Sequence, residues 1–131
     1  MLGLSDYAGS KLVLYFYPKD DTPGCTKEAC NLRDHYQQLL AQGYRVLGVS
    51  VDDEASHQKF IAKYSLPFPL LADTDQKIVN AYGVWGEKNM YGKKFMGVTR
   101  ATFIIDGAGI IQEVIKKVNT EAHAEQILNP A

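Results

Sequence analysis

Cys25 is the residue whose type and position most clearly suggest chemistry. It follows the run Thr22-Pro23-Gly24, between an apolar strand and the first turn of a predicted helix. A thiol at a helix start lies where backbone N–H groups are unpaired and where the helix dipole favours negative charge. Both conditions increase the thiolate fraction of a cysteine. The sequence therefore predicts a reactive thiol, rather than the buried apolar cysteine that is the commoner alternative.

Cys30, the second of only two cysteines, follows five residues later. Five residues of ideal helix rise about 7.5 Å and turn about 140°, which separates the two Cα atoms by about 8–9 Å. A disulfide tolerates a Cα separation of no more than about 7 Å. Either the two cysteines never bond, or the helix unwinds when they do.

Two stretches around these cysteines resemble the active-site segment of a peroxiredoxin: YFYP at 15–18 and TPGCTKEAC at 22–30. The Cys-x4-Cys spacing is similar to that of the bacterioferritin comigratory protein (peroxiredoxin Q) branch. The likeness continues through VWGEK at 84–88, YGK at 91–93 and RATFIID at 100–106. It implies an α/β, thioredoxin-like fold, with a mixed central sheet flanked by helices, in a single domain over residues 1–131.

Chains of this family usually begin with an extra stretch that forms an N-terminal hairpin. That hairpin precedes the segment matched here by Leu4-Ser5-Asp6-Tyr7, and this chain starts almost at that segment. We therefore expect the N-terminal hairpin of the family to be missing.

Hydrophobic patterning predicts the element order βαβαβαββα. Strands are predicted at 11–17, 44–51, near 70–71, at 98–105 and at 110–118, the last two joined by a tight turn. Helices are predicted from 25 to about 40, from about 53, over 75–82 and from 120. The Gly- and Lys-rich segment 83–97 is predicted to be a loop.

The resemblance implies roles for the two cysteines and for two residues of the segment between the strand and the helix. Cys25 would be the peroxidatic nucleophile, and Cys30 would condense with its sulfenic acid to form an intramolecular disulfide. Thr22 would hydrogen-bond the peroxide and the thiolate, although it could equally be a plain helix N-cap. Pro18 would shape the loop and shield the thiolate from water, although it could simply end the strand.

Two charged residues complete the implied site. Arg100, predicted to lie on a strand, would favour the thiolate and bind the peroxide, a task that suits a planar guanidinium better than lysine. The alternative is an arginine on an exposed strand face. Glu28 would orient this arginine, or it could be a first-turn carboxylate that the helix dipole favours.

Together these residues imply a thiol-dependent peroxidase for hydrogen peroxide and organic hydroperoxides, with an antioxidant role and without metal or organic cofactor. Thioredoxin or a similar thiol reductase would recycle the disulfide. Two other functions stay open. A thiol–disulfide oxidoreductase of the same fold would normally carry Cys-x-x-Cys, and a non-enzymatic redox sensor would oxidise once without turnover.

The composition narrows the remaining function classes. The 131 residues carry a net charge of −1 and no basic stripe, which argues against a nucleic-acid partner. No apolar run approaches membrane-spanning length, and no secretion signal is evident. We expect a cytoplasmic protein that is a monomer or a weak dimer. His35, His57 and His123 lack metal-ligand spacing and are predicted to be surface or helix-face residues.

Overall fold

A five-stranded mixed sheet forms the centre of the structure, a computed structural model that describes residues 9–128. The elements follow in the order β1 (Lys11–Phe16), α1 (Pro23–Asp34), α2 (Tyr36–Ala41), β2 (Tyr44–Ser50), α3 (Glu54–Tyr64), β3 (Leu70–Ala72), α4 (Lys77–Ala81), β4 (Trp85–Met90), β5 (Lys93–Val98), β6 (Ala101–Ile105), β7 (Ile111–Ile115) and α5 (His123–Leu128). Within the sheet the strands lie in the order β3-β2-β1-β6-β7. The predicted thioredoxin-like fold is confirmed.

The middle of the sheet is its most apolar part. β1 pairs in parallel with β2 and antiparallel with β6, and β2 pairs in parallel with β3. Every residue of β1 after Lys11 is buried, because helices or loops cover both faces of a strand in this position. The run KLVLYF was predicted as a buried central strand for the same reason, and it is one.

Alternate residues of β1 contribute to two apolar layers on opposite faces of the sheet. Val13 and Tyr15 face the layer that also contains buried residues of α1, α2, α3 and α5, including Cys25. Leu12 and Leu14 face the layer closed by α4 and by the ends of β4 and β5. The Cys25 thiol is therefore packed against the sheet face that carries most of the helices.

The single helix predicted from 25 to about 40 is in fact two helices. α1 ends at Asp34 and α2 begins at Tyr36, with His35 between them at φ −109° and ψ 11°. The apolar stripe continues through both helices, so periodicity alone did not reveal the interruption.

The predicted loop at 83–97 is wrong, because β4 and β5 form a two-stranded antiparallel hairpin there. Tyr91 and Gly92 make its turn, both with positive φ (55° and 79°), as a two-residue turn between twisted strands requires. The flanking segments mix lysines with apolar residues and show no strict alternation, so the strand pattern was hidden.

Several boundaries also differ from those predicted. β6 begins at Ala101 rather than at 98, β7 covers only Ile111–Ile115, and α5 begins at His123 rather than at Thr120. The helix predicted from about 53 is α3, which is capped by Asp53, whose carboxylate accepts a hydrogen bond from the Ser56 N–H at 2.8 Å.

The segment 4–7, on which the missing-hairpin expectation depends, lies outside the described residues. A single domain over 1–131 stays a prediction. Within 9–128, none of the helices combines the length and the apolar character needed to cross a membrane.

Candidate active site

Cys25 lies in the first turn of α1. Pro23 occupies the first helical position, where its fixed φ suits the helix and its missing N–H removes no bond. Thr22 precedes it in an extended conformation, and its carbonyl accepts the N–H of Thr26 at 2.8 Å. The Cys25 side chain is only 1% exposed. The local sequence thus fixes a helix start with the thiol turned towards the protein interior.

Arg100 contacts the thiol and a carboxylate at the same time. Its Nη2 donates to Cys25 Sγ at 3.2 Å, and its Nη1 donates to Glu28 Oε1 at 2.6 Å. Arg100 follows β5 and precedes β6, so its prediction as a strand residue is wrong. Because it is outside the ladder, its side chain can cross to α1. The structure thus brings together three of the six residues predicted for the site.

Gly24 allows the guanidinium to approach the helix start. A Cβ atom at this position would lie 3.2 Å from Arg100 Nη2, closer than most real contacts of a Cβ atom. A larger residue would therefore require the guanidinium to shift by about a few tenths of an ångström.

Glu28 is a fully buried carboxyl group. Burial raises its pKa to about 7, although the charge and the hydrogen bond of Arg100 lower it. Burial also lowers the pKa of Arg100, but Glu28 and Cys25 raise it more, so the guanidinium stays charged. The alternative that Glu28 is a solvated first-turn carboxylate is wrong, because its side chain is inside the protein and bound to Arg100.

Thr22 and Pro18 lie on the loop between β1 and α1. Thr22 is the N-cap residue of α1, as the alternative predicted, but its hydroxyl donates to the carbonyl of Lys19 at 2.9 Å and makes no side-chain capping bond to the helix. Pro18 comes two residues after the end of β1 and is half-buried. Its shielding of the thiolate stays a prediction.

A buried polar network anchors this loop. Asp20 Oδ1 accepts the Tyr17 hydroxyl at 2.5 Å, and Oδ2 lies 2.6 Å from His57 Nδ1 and accepts the Ser56 hydroxyl at 2.8 Å. Asp52 Oδ2 accepts the Asp20 N–H at 2.9 Å. The loop that carries Thr22 is therefore tied to α3 and to the end of β2.

The surroundings of His57 in this network favour its protonated form. Its Nδ1 faces the Asp20 carboxylate and its Nε2 lies 3.0 Å from the carbonyl of Leu71, so both ring nitrogens face acceptors. Burial lowers its pKa, but the hydrogen bond and the charge of Asp20 raise it further, and the net effect is an increase. For Asp20 the effects have the opposite sign. Burial raises the pKa of this carboxyl group, but the hydrogen bonds from His57 and Tyr17 bring it below its usual value.

His57 on α3 and His123 on α5 are both buried, so a surface position is wrong for them, while their place on helices agrees with the prediction. His123 is on α5, where Nδ1 lies 2.8 Å from Gln126 Oε1 and Nε2 lies 2.7 Å from the Thr102 hydroxyl. The same Nε2 is 3.5 Å from Glu28 Oε2. Spacing along the chain gave no signal for their burial, because Asp20 and Thr102 come from distant segments, although Gln126 is only three residues from His123.

Both cysteines are free thiols, and Cys30 is partly exposed. They lie in the same helix, which is intact from Pro23 to Asp34. The Cα separation of about 8–9 Å expected for this spacing therefore applies, and a disulfide requires α1 to unwind.

The second half of α1 is attached to the start of α5. The Asn31 amide donates to the carbonyl of Glu121 at 3.1 Å, and its oxygen accepts the N–H of Ala124 at 2.7 Å. Lys27 pairs with the Glu121 carboxylate at 3.1 Å, with both side chains largely exposed. Asn31, next to Cys30, thus makes the more specific of the two connections.

Comparison with known proteins agrees with this site. The sequence profile described as the AhpC/TSA family matches residues 2–114. The chain is 51% identical over 128 residues to a protein named putative peroxiredoxin bcp from Coxiella burnetii, over 98% of this chain and 85% of the relative. It is 45% identical to peroxiredoxin Bcp of Bacillus subtilis, over 95% of this chain and 80% of the relative.

Two solved structures show the same fold at similar identity. The bacterioferritin comigratory protein of Xanthomonas campestris is 40% identical, with a TM-score of 0.92, over 97% of this chain and 80% of that one. A cysteine-to-serine mutant of PrxQ from Xylella fastidiosa is 41% identical, with a TM-score of 0.92, over 98% of this chain and 79% of that one. The chain therefore belongs to the AhpC/TSA family and is a thiol peroxidase of its Bcp (peroxiredoxin Q) branch.

Proposed function

We propose that the Cys25 thiolate attacks one oxygen of a hydroperoxide. The S–O bond forms as the O–O bond breaks, which leaves Cys25 as a sulfenic acid. The departing alkoxide or hydroxide takes up a proton, the equivalent of the one that the thiol lost, and leaves as an alcohol or as water. The observation that carries this proposal is the contact of Arg100 Nη2 with Cys25 Sγ at 3.2 Å.

The groups around the thiol suit this reaction. A charged donor held at a fixed position stabilises the thiolate before the reaction and the negative charge that develops on the departing oxygen during it. Glu28 holds the other end of the guanidinium, which fixes its orientation. Thr22 would take part by turning its hydroxyl from the Lys19 carbonyl towards the bound peroxide.

Cys30 would then act as the resolving cysteine. Its thiol condenses with the sulfenic acid of Cys25, so that an S–S bond forms and water leaves. The reaction needs the two sulfurs to meet, and therefore needs the first turns of α1 to open. The partial exposure of Cys30 is consistent with a side chain that can leave its place without uncovering the core.

The substrates would be hydrogen peroxide and small organic hydroperoxides, and the Xanthomonas relative was studied for alkyl peroxide reduction. Thioredoxin or a similar dithiol reductase would return the disulfide to two thiols by exchange. We further propose a cytoplasmic monomer or weak dimer that works without metal or organic cofactor.

The test is the intact mass of the reduced protein after it is mixed with one equivalent of hydrogen peroxide, sampled over seconds. Loss of about 2 Da is expected, because two thiol hydrogens leave when the disulfide forms. Repeated peroxide consumption with thioredoxin, its reductase and NADPH should follow. A stable gain of one oxygen would contradict the role of Cys30, and oxidation without turnover would indicate a sensor.

A further inference from the structure

His123 is a buried titratable group that the reaction above does not use, and its hydrogen bonds define which nitrogen carries a proton. Gln126 Oε1 accepts the Asn119 N–H at 2.9 Å, and Gln126 Nε2 donates to the carbonyl of Lys117 at 3.0 Å. The amide is thereby oriented with its oxygen towards His123 Nδ1 at 2.8 Å. Nδ1 must donate, so the open question is whether Nε2 also carries a proton.

The groups that face Nε2 are a hydroxyl and a carboxyl. Thr102 Oγ1 lies at 2.7 Å and can either donate or accept. Glu28 Oε2 lies at 3.5 Å, is buried, and has no hydrogen-bond partner among residues 9–128. A buried carboxylate oxygen without a donor is costly. A proton on either Glu28 or His123 lowers that cost, because it neutralises the carboxyl group or places a positive charge 3.5 Å from it.

We propose that Glu28 and His123 share one buried proton beside Arg100, and that His123 is thereby a positioning residue for the Cys25 thiolate. This inference rests on the proposed function. Without the proton, the Glu28 carboxylate and the Cys25 thiolate divide the charge of one guanidinium between them. With it, the charge of Arg100 faces the thiolate alone. The state of the pair thus controls how strongly Arg100 favours the thiolate.

The titration of the two groups supports this arrangement. Burial raises the pKa of Glu28 to about 7 and lowers that of His123, so the carboxyl group holds a proton more readily than usual and the imidazole less readily. The pair therefore changes its charge near neutral pH, where such an enzyme would work.

The other ionisable groups around the pair do not replace it. Burial, reinforced by the charges of Glu28 and Cys25, raises the pKa of Tyr15 on β1 well above its usual value, so the phenol stays neutral. On the outer side of the contact between α1 and α5, Glu125 pairs with His35 at 2.8 Å and Lys27 pairs with Glu121 at 3.1 Å. Arg100 is the fixed positive charge that the pair and the thiol have in common.

The test compares two substitutions that fix the pair in opposite states, in a Cys30→Ser background in which Cys25 is the only thiol. Glu28→Gln keeps the acceptor for Arg100 but carries no charge. His123→Gln cannot take up a proton, and its amide N–H can donate to the carboxylate, which favours the ionised form of Glu28. The readout is the pH at which the alkylation rate of Cys25 by iodoacetamide is half-maximal.

We expect this midpoint to move to lower pH in Glu28→Gln and to higher pH in His123→Gln, each by about half a pH unit, or about threefold in rate on the rising part of the profile. General damage to the site would move both in the same direction. Movement in the same direction, or no movement in either variant, would overturn the proposal. His35→Gln is the matched control, since it removes a histidine–carboxylate pair between the same two helices and should leave the midpoint unchanged.

A second measurement does not depend on whether His123→Gln folds. The chain has three histidines, whose ring protons can be followed by NMR across the pH range. The titration midpoint of His123 should be lower in Cys25→Ser than in the reduced wild type, because the thiolate charge that favours the shared proton is absent. Equal midpoints would overturn the proposal.

Neither readout requires turnover. Opposite shifts in a protein that consumes no peroxide would therefore contradict the proposed function and leave the shared proton standing. Peroxide consumption without those shifts would contradict the shared proton and leave the proposed function standing.

Discussion

Arg100 bonds the thiol and the carboxyl group with two nitrogens of one rigid plane. Lysine cannot reproduce this, because a single ammonium group has no fixed fork. We expect Arg100→Lys to lower the rate constant for Cys25 oxidation by about 10²-fold, the typical effect of losing one oriented donor to developing charge. Stopped-flow fluorescence of Trp85, the chain's single tryptophan, would follow the reaction.

Arg33→Lys is the matched control for that change. Arg33 pairs with Asp34 at 3.0 Å and donates to the Tyr64 carbonyl at 2.7 Å, both outside the site, so the change should alter the rate by less than about twofold. A rate for Arg100→Lys within about threefold of wild type would mean that the fixed orientation of the guanidinium donor does not matter for oxidation of Cys25.

The two cysteines should differ sharply in what their removal does. Cys25→Ser should abolish peroxide consumption, because a hydroxyl is far less nucleophilic than a thiolate. Cys30→Ser should keep the first oxidation, seen as a gain of about 16 Da, and lose turnover with thioredoxin. Equal and mild effects of both substitutions would contradict the assigned roles.

The sequence predicted the reactive thiol from its position at a helix start, and the resemblance supplied Arg100, Glu28 and Thr22. Neither the sequence pattern nor the resemblance predicted that His57 and His123 are buried. A histidine becomes buried when acceptors or donors from distant segments satisfy its ring, as Asp20 does for His57 and Thr102 does for His123. Neither partner is close in sequence, so no local pattern records the contact.

At the scale of elements, the attachment of α1 to α5 opposes the unwinding that the disulfide requires. Asn31→Ala removes two hydrogen bonds of this attachment, each worth about 1 kcal/mol. We expect disulfide formation after the first oxidation to become about fivefold faster or more. The mass loss of about 2 Da can be followed by rapid quench.

Lys27→Ala serves as the control for that experiment, because it removes only an exposed ion pair with the same residue, Glu121. Its effect should stay below about twofold. If Asn31→Ala slowed disulfide formation, α5 would be guiding the two thiols together rather than restraining α1.

The loop that carries Thr22 depends on the Asp20–His57 pair, and its stability should vary with pH. The pKa of His57 is raised in the folded protein, so its contribution is complete below the usual value of about 6.5 and is lost as the pH rises through the folded value. His57→Asn should therefore lower the melting temperature most near pH 6, by roughly 10 °C for a loss of about 3 kcal/mol. The difference should narrow towards pH 9.

Thermal melts from pH 5.5 to 9 would measure this effect. The lower limit keeps Asp20 ionised, since its folded pKa lies below the usual carboxyl value. His35→Asn is the control, because His35 pairs with the partly exposed Glu125 and should change stability by less than about 1 kcal/mol. A constant penalty for His57→Asn across the range would mean that the protonated form is not what holds the loop.

The elements themselves were predictable where burial determines the pattern, and less so elsewhere. β1 and β2 are buried on both faces and appear as continuous apolar runs. β4 and β5 pair only with each other, and most of the side chains described on β5 are exposed, so hydrophobicity carries little information about them. The break at His35 is likewise a matter of backbone angles that the apolar stripe does not encode.

For the whole molecule, oxidation should lower stability. A disulfide that closes so short a loop restrains the unfolded chain by about 2 kcal/mol. Forming it displaces the first turns of α1, whose Cys25, Glu28 and Ala29 are buried, and loosens the turn that carries Leu32. Burial of a leucine alone is worth about 2 kcal/mol, and the helical hydrogen bonds add to it.

We therefore expect the disulfide form to melt several degrees below the dithiol form. Differential scanning calorimetry with and without reductant would measure this difference in melting temperature. Cys30→Ser, which cannot form the disulfide, is the control. A higher melting temperature for the oxidised protein would mean that α1 contributes little to the core.

The break between α1 and α2 at His35 limits how much structure one catalytic cycle disturbs. α2 keeps its own hydrogen bonds and its fully buried Leu39, and it packs on β2, which pairs directly with β1. When α1 unwinds, α2 and β2 stay folded and keep the surface on which α1 packs. Recovery after each turnover is then a local search by the 12 residues of α1, rather than a refolding of the chain.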